Sequence, residues 1–171
     1  MADRRPPGLR LSSAHKPSKL LVMPNGRARV LWAACLALAA CGGPTTTAYD
    51  ILSQTCVDHM NALRATVGLG PLARWVGAEA CADGQSQSES ITYPPAHQAF
   101  GRCQESAQDE CPGWGSLTGA AGIVPGCLDA MWSEGPGGGH YDIMTSSAYS
   151  TVACGFFVAA DGTVWSVQDF R

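Results

Sequence analysis

Apolar residues recur at Leu52, Cys56, Met60, Leu63 and Val67, the three-to-four spacing of an amphipathic helix. Asp50 offers an N-cap and Gly68 a stop, so the spacing predicts a helix over residues 50–67. A second helix is expected from Val76 to Ser90, where Ala78, Ala80, Cys81 and Ala82 form a small face able to pack closely before a polar QSQSES tail. A short third helix is expected over 126–134, because Cys127, Leu128, Met131 and Trp132 share one face and Gly135 and Pro136 end it. The period then changes. Thr151–Val158 and Thr163–Phe170 are strand-like runs joined through Asp161-Gly162, a hairpin signal. Between the second and third helices, ITYPPAHQAFGRCQESAQDECPGWG is too rich in proline, glycine and polar residues to predict a regular element, and its two cysteines suggest a pinned loop over 91–115. Helices followed by strands predict a single α+β domain, and 171 residues with 46% apolar composition suffice for its core.

The front of the chain has a different character. Seven of the eleven basic residues precede Cys41, against Asp3 alone, and they lead into VLWAACLALAA, an apolar run too short to span a bilayer but suited to the core of a signal peptide. Leu38-Ala39-Ala40-Cys41 resembles the bacterial lipobox, whose cysteine becomes the lipidated first residue of the mature protein. Residues 1–40 therefore read as a signal segment of lipoprotein type, residues 41–49 as lipidated Cys41 and a flexible tether, and residues 50–171 as the domain. Met23 offers a second start that would shorten the long polar lead. A signal peptide cut elsewhere, giving a secreted protein, is the alternative. From Cys41 on, Arg64, Arg74, Arg102 and Arg171 face thirteen acidic residues, a formal charge of −9. Such a body repels phosphate backbones and anionic headgroups, which disfavours nucleic acid and makes a cation the better partner.

With Cys35 in the signal core and Cys41 lipidated, six cysteines remain, none in C-x-x-C spacing, so zinc-ribbon and thioredoxin readings lose support and export favours disulfides. Many pairings are open. The one expected joins Cys56 to Cys81 between two helices, Cys103 to Cys111 around a loop, and Cys127 to Cys154 between helix and sheet. Gly68-Leu69-Gly70-Pro71-Leu72-Ala73 fits G-x-G-x-x-A formally, but a helix precedes it and a proline follows, which excludes a dinucleotide fingerprint.

Two stretches carry a family resemblance. GHYDIMTSSAYSTVACGFF, from Gly139 to Phe157, resembles the G-H-Y…G-C-G signature of the CAP superfamily, and MNALRATVGLGPLARW resembles its first-helix pattern through Asn61 and Arg64. Met60 stands where that pattern has histidine, so His59 is not carried over. The resemblance implies a three-layer α-β-α sandwich stabilised by disulfides, and a cleft in which two histidines and two acidic residues converge. His140 in G-H-Y, Glu134 in M-W-S-E, Glu105 in Q-E-S and His97 in P-A-H-Q are the matching candidates. Neutral nitrogen and carboxylate oxygen suit a divalent transition metal, zinc above all.

Three functions follow as expectations. The first is an exported, lipid-anchored protein of the bacterial envelope or cell surface that binds a small ligand, lipid or sterol-like, or a divalent metal, without catalysis. The second is a metal-dependent hydrolase using the same cleft, and the third a disulfide-locked module that binds an envelope protein. A serine enzyme is disfavoured, because Ser146, Ser147 and Ser150 lie in no G-x-S-x-G context.

Overall fold

A computed structural model of the chain describes residues 47–115 and 120–171. The signal segment, Cys41 and the tether as far as residue 46 lie outside the described residues. Eight elements follow one another: α1 (Ala48–Thr66), β1 (Ala73–Arg74), α2 (Val76–Thr92), β2 (Ala107–Trp114), α3 (Ala120–Trp132), α4 (Gly139–Thr145), β3 (Thr151–Val158) and β4 (Val164–Phe170). The strands form one sheet in the order β1-β3-β4-β2, parallel between β1 and β3 and antiparallel elsewhere. The fold is mixed α/β, with helices on both faces of a four-stranded sheet and three disulfides. None of the described helices is long and apolar enough to cross a membrane.

Strand alternation divides the core in two. Val152, Cys154 and Phe156 of β3, with Val164 and Phe170 of β4, pack against Leu52, Cys56 and Met60 of α1, Val124, Leu128 and Met131 of α3, and Met144 of α4. On the opposite face Ala153 and Val167 meet Ala78 and Ala82 of α2. That second interface is thin because Gly155 lies under α2: a Cβ there would stand 2.1 Å from the carbonyl carbon of Ala82. The small-residue face of the second helix is therefore what lets backbone approach backbone.

The helical and hairpin periodicities match α1, α2, β3 and β4 closely, with four departures besides α4, a helix that no periodicity announced. Thr47, not Asp50, caps α1, its hydroxyl accepting the Asp50 N–H at 3.1 Å. The third helix starts at Ala120 and runs through Pro125, which gives up one backbone hydrogen bond while Val124 is buried in the core. The expected loop over 91–115 ends in a strand: β2 pairs with β4 from Ala107↔Phe170 to Trp114↔Val164, and a register shift between Cys111 and Trp114 absorbs Pro112 and Gly113 at the sheet's edge. Finally β1 contributes two residues whose strand character comes from parallel pairing with distant β3, Ala73↔Thr151 and Arg74↔Val152.

The expected disulfides are all corrected. Cys56 pairs with Cys154, Cys81 with Cys103 and Cys111 with Cys127. Cys56 cannot reach Cys81 because α1 and α2 cover opposite faces of the sheet; it meets Cys154, which points into its own layer. Cys103 and Cys111 are separated because the chain between them extends into β2, which carries Cys111 under α3 to Cys127.

Candidate functional site

Glu134 follows the end of α3, and the GPGGG run after it forms a hydrogen-bonded turn, the Gly138 N–H donating to the Gly135 carbonyl at 2.9 Å. His140 lies on α4. Gly138 lies close enough to Glu134 that an added Cβ would sit 2.4 Å from the glutamate Cβ. The carboxylate can thus reach the start of α4, where Oε2 accepts the His140 N–H at 3.1 Å and Oε1 lies 2.6 Å from His140 Nδ1. The hydrogen bond from His140 holds the Glu134 carboxyl below its ordinary range. The far end of α4 is anchored by Arg64, a buried residue whose guanidinium donates to the carbonyls of Met144 at 2.6 Å, Ser146 at 3.2 Å and Gly70 at 3.0 Å. Asn61 exchanges two hydrogen bonds with the Leu72 backbone. Both family-like residues of α1 therefore act as struts. His59 pairs with Asp129 of α3 at 2.7 Å.

His97 sits on the connection from α2 to β2 with φ 63°, a left-handed conformation uncommon for a residue with a side chain. Its N–H donates to Glu110 Oε2 at 2.9 Å, and its ring Nδ1 lies 3.1 Å from Gln108 Oε1 and 3.8 Å from Glu110 Oε2. Glu110 is buried on β2, and desolvation pushes its carboxyl up, against the opposing effects of the His97 N–H and of the two histidines nearby. Its Oε1 has no hydrogen-bond partner among the described residues. Glu110, Glu134 and His140 line one groove of about 220 Å³ with Pro112 and Met131 at the free edge of β2. His97 lines a neighbouring groove of about 330 Å³ with Phe100, Ala107 and Ile143 of α4.

Three of the four sequence candidates thus stand around this edge, and Glu105 does not. Its Oε1 accepts from Gln85 Nε2 at 2.6 Å and from the Gly101 N–H, and its Oε2 accepts the Cys103 N–H at 2.8 Å. Buried and pointing into the 97–106 connection, Glu105 pins that loop. Glu110, five residues on, is the glutamate that contacts His97. The signal for Glu110 was the alternation of Gln108 and Glu110 with apolar Ala107 and Cys111, masked by Asp109 on the apolar face.

Two further buried acids belong to the surroundings. Burial pushes Asp109 up to about 8, aided by repulsion from Glu134, and Asp169 up to about 7, with Gln108 donating to its Oδ1 and Glu105 repelling it. Among the described residues only Cys103, Glu105 and Asp169 bring three ligand-type atoms within 4.8 Å of one another. The sulfur of Cys103 is committed to Cys81, so that trio is no metal centre. The cleft groups are arranged instead as two histidine–carboxylate pairs, His97–Glu110 and His140–Glu134, with both imidazoles and both carboxylates of a type that suits zinc.

Comparison of the chain with protein-family models gives no match, and comparison with curated proteins gives none either.

Proposed function

We propose that the chain is an exported, lipid-anchored protein of CAP type whose cleft binds a divalent metal ion, zinc by preference, without catalysis. One observation carries the binding reading: Glu110, Glu134 and His140 line a single groove, and Glu110 keeps a buried oxygen with no partner among the described residues. A buried carboxylate oxygen without a hydrogen bond favours a proton or a cation beside it. His97, Glu110, Glu134 and His140 are the residues that would hold the ion, with the Glu134 and His140 side chains turning to bring ligand atoms together, since no three of the four now lie within 4.8 Å of one another. The acidic body supports a cationic ligand, and the helices flanking the sheet, the three disulfides and the motif around His140 support the family reading. Export is supported by those disulfides together with the lipobox-like Leu38–Cys41.

The test is zinc titration calorimetry on the disulfide-intact protein beside the His97→Ala/His140→Ala double variant and Glu110→Gln. Stoichiometric binding lost in the double variant and weakened in Glu110→Gln is expected. No heat in the unmodified protein would end the metal reading. A second reading, a small apolar ligand, is favoured by the adjoining groove lined by Phe100 and Ile143, whose size lies at the lower limit for small-molecule sites. It predicts protection of Phe100 on adding a sterol-like compound, with no dependence on zinc.

A further inference from the structure

We propose that Gln108 is the positioning residue of the cleft: oriented by Gln85 and Asp169, it holds His97 in the Nδ1–H tautomer, so that Nε2 is the nitrogen offered to a metal ion. The naming of the ligand rests on the metal-binding reading; the tautomer is a property of the protein alone.

The direction of the hydrogen-bond chain is decided at its inner end. A backbone carbonyl oxygen only accepts, so the Gln85 atom 3.0 Å from the Ala99 carbonyl is Nε2, and the same atom lies 2.6 Å from the Glu105 carboxylate. Gln85 therefore turns Oε1 towards Gln108. The Gln108 atom 3.2 Å from that oxygen must be a donor, and it also donates to Asp169 Oδ1 at 2.8 Å. This leaves Oε1 of Gln108 as the atom 3.1 Å from His97 Nδ1. An amide oxygen cannot donate, so Nδ1 carries the proton.

Reversal is blocked at every step. Turning either amide over would set an NH₂ group against another donor, or an oxygen against a carbonyl or carboxylate oxygen. All of this happens in the interior, since Gln85 is 1% exposed, Gln108 5% and Asp169 0%. On the His97 side the backbone is held by its N–H bond to Glu110, whose carboxylate also lies 3.8 Å from Nδ1 and favours the same proton position. No hydrogen bond among the described residues engages Nε2, and the half-exposed ring lines the groove beside Ile143. A histidine oriented by a hydrogen bond at one nitrogen presents the other as a defined ligand.

The experiment records nitrogen–proton correlation spectra of the imidazoles in the full, disulfide-intact chain without metal, in alkaline buffer where neutral rings dominate. His97 is assigned by its loss in His97→Ala. A protonated-type Nδ1 with an unprotonated-type Nε2 is expected; the opposite pattern overturns the proposal whatever any variant does. In Gln108→Met, which keeps volume and removes the acceptor, the His97 population should move towards Nε2–H while the His140 signals stay in place, and zinc affinity should fall about 10–100-fold. An unchanged His97 pattern in that variant would overturn the role of Gln108. A chain that shows the Nδ1–H tautomer yet binds no zinc would support the positioning and remove the metal reading alone.

Discussion

Glu105 and Glu110 are both buried glutamates near the same loop, and exchanging each for glutamine should separate their roles. In Glu105→Gln one acceptor oxygen becomes an NH₂ group. The carboxylate takes three donors, from Gln85, Gly101 and Cys103, and an amide cannot satisfy both of its sides. If its oxygen faces Gln85 and Gly101, the Cys103 N–H is left buried against another donor. Hydrogen bonds to charged groups are worth about 1.5–3 kcal/mol, and a buried orphan donor costs about 1–3 kcal/mol. The variant should therefore lose about 2–4 kcal/mol of stability. Glu110→Gln presents a different case. Among the described residues Oε2 has one donor, the His97 N–H, and Oε1 has none. An amide can keep the single bond while removing a desolvated charge, so stability should change by about 1 kcal/mol or less in either direction.

The assay is urea unfolding of both oxidised variants followed by circular dichroism, with zinc calorimetry on the folded proteins. Glu105→Gln should unfold at clearly lower urea and keep zinc affinity within about tenfold of the unmodified protein. Glu110→Gln should unfold near the unmodified midpoint and lose more than about tenfold, since even groups that merely orient a ligand contribute that much. The reverse pattern, a stable Glu105→Gln that has lost zinc beside a Glu110→Gln that retains it, would refute the assignment.

Three further outcomes follow from the packing. Gly155→Ala should cost about 3 kcal/mol or more, and roughly 10 °C in Tm, because its Cβ would meet backbone of Ala82 and Asp83 and lift α2 off the Asp83 bond to the Phe156 N–H; a thermal melt within 2–3 °C of the unmodified protein, roughly the size of a 1 kcal/mol change, would show that α2 can ride up freely. Asp109 and Asp169 are raised to about 8 and about 7, so the native state holds protons that the unfolded chain has released above about pH 4. Their contribution is fully present below pH 4 and is lost as pH rises towards 8; Asp169→Asn should flatten that fall and gain at least about 1 kcal/mol at pH 8, and urea midpoints that rise over the same window would contradict it. Removing Cys56–Cys154, which closes a separation of 98 residues, should cost about 4–5 kcal/mol, against about 3 kcal/mol for Cys81–Cys103 at a separation of 22, and equal denaturant shifts would count against an origin in the unfolded chain.

What the sequence could announce depended on whether a residue's role was local. The periods of α1, α2 and the closing hairpin are local, as are the glycines that end α3, and His140 with Glu134 sits only six residues apart. β2 is the opposite case. Gln108 and Glu110 face α2, Asp109 faces α3, and Pro112 and Gly113 interrupt the far end, so no alternation of apolar and polar residues survives. The strand exists because β4 pairs with it. That pairing also decides between the two glutamates, since it is the register Glu110↔Val167 that turns one of them towards His97 while Glu105 stays behind in the loop. The disulfides follow the same logic, each partner being chosen by the layer its element covers. The glutamines that orient His97 are harder still to foresee, because a hydrogen-bond chain whose direction is set by the Ala99 carbonyl leaves no spacing, charge or hydropathy signature in the chain. A cleft defined by motif residues alone would therefore omit Gln85 and Gln108, the two side chains that determine which nitrogen of His97 faces the groove.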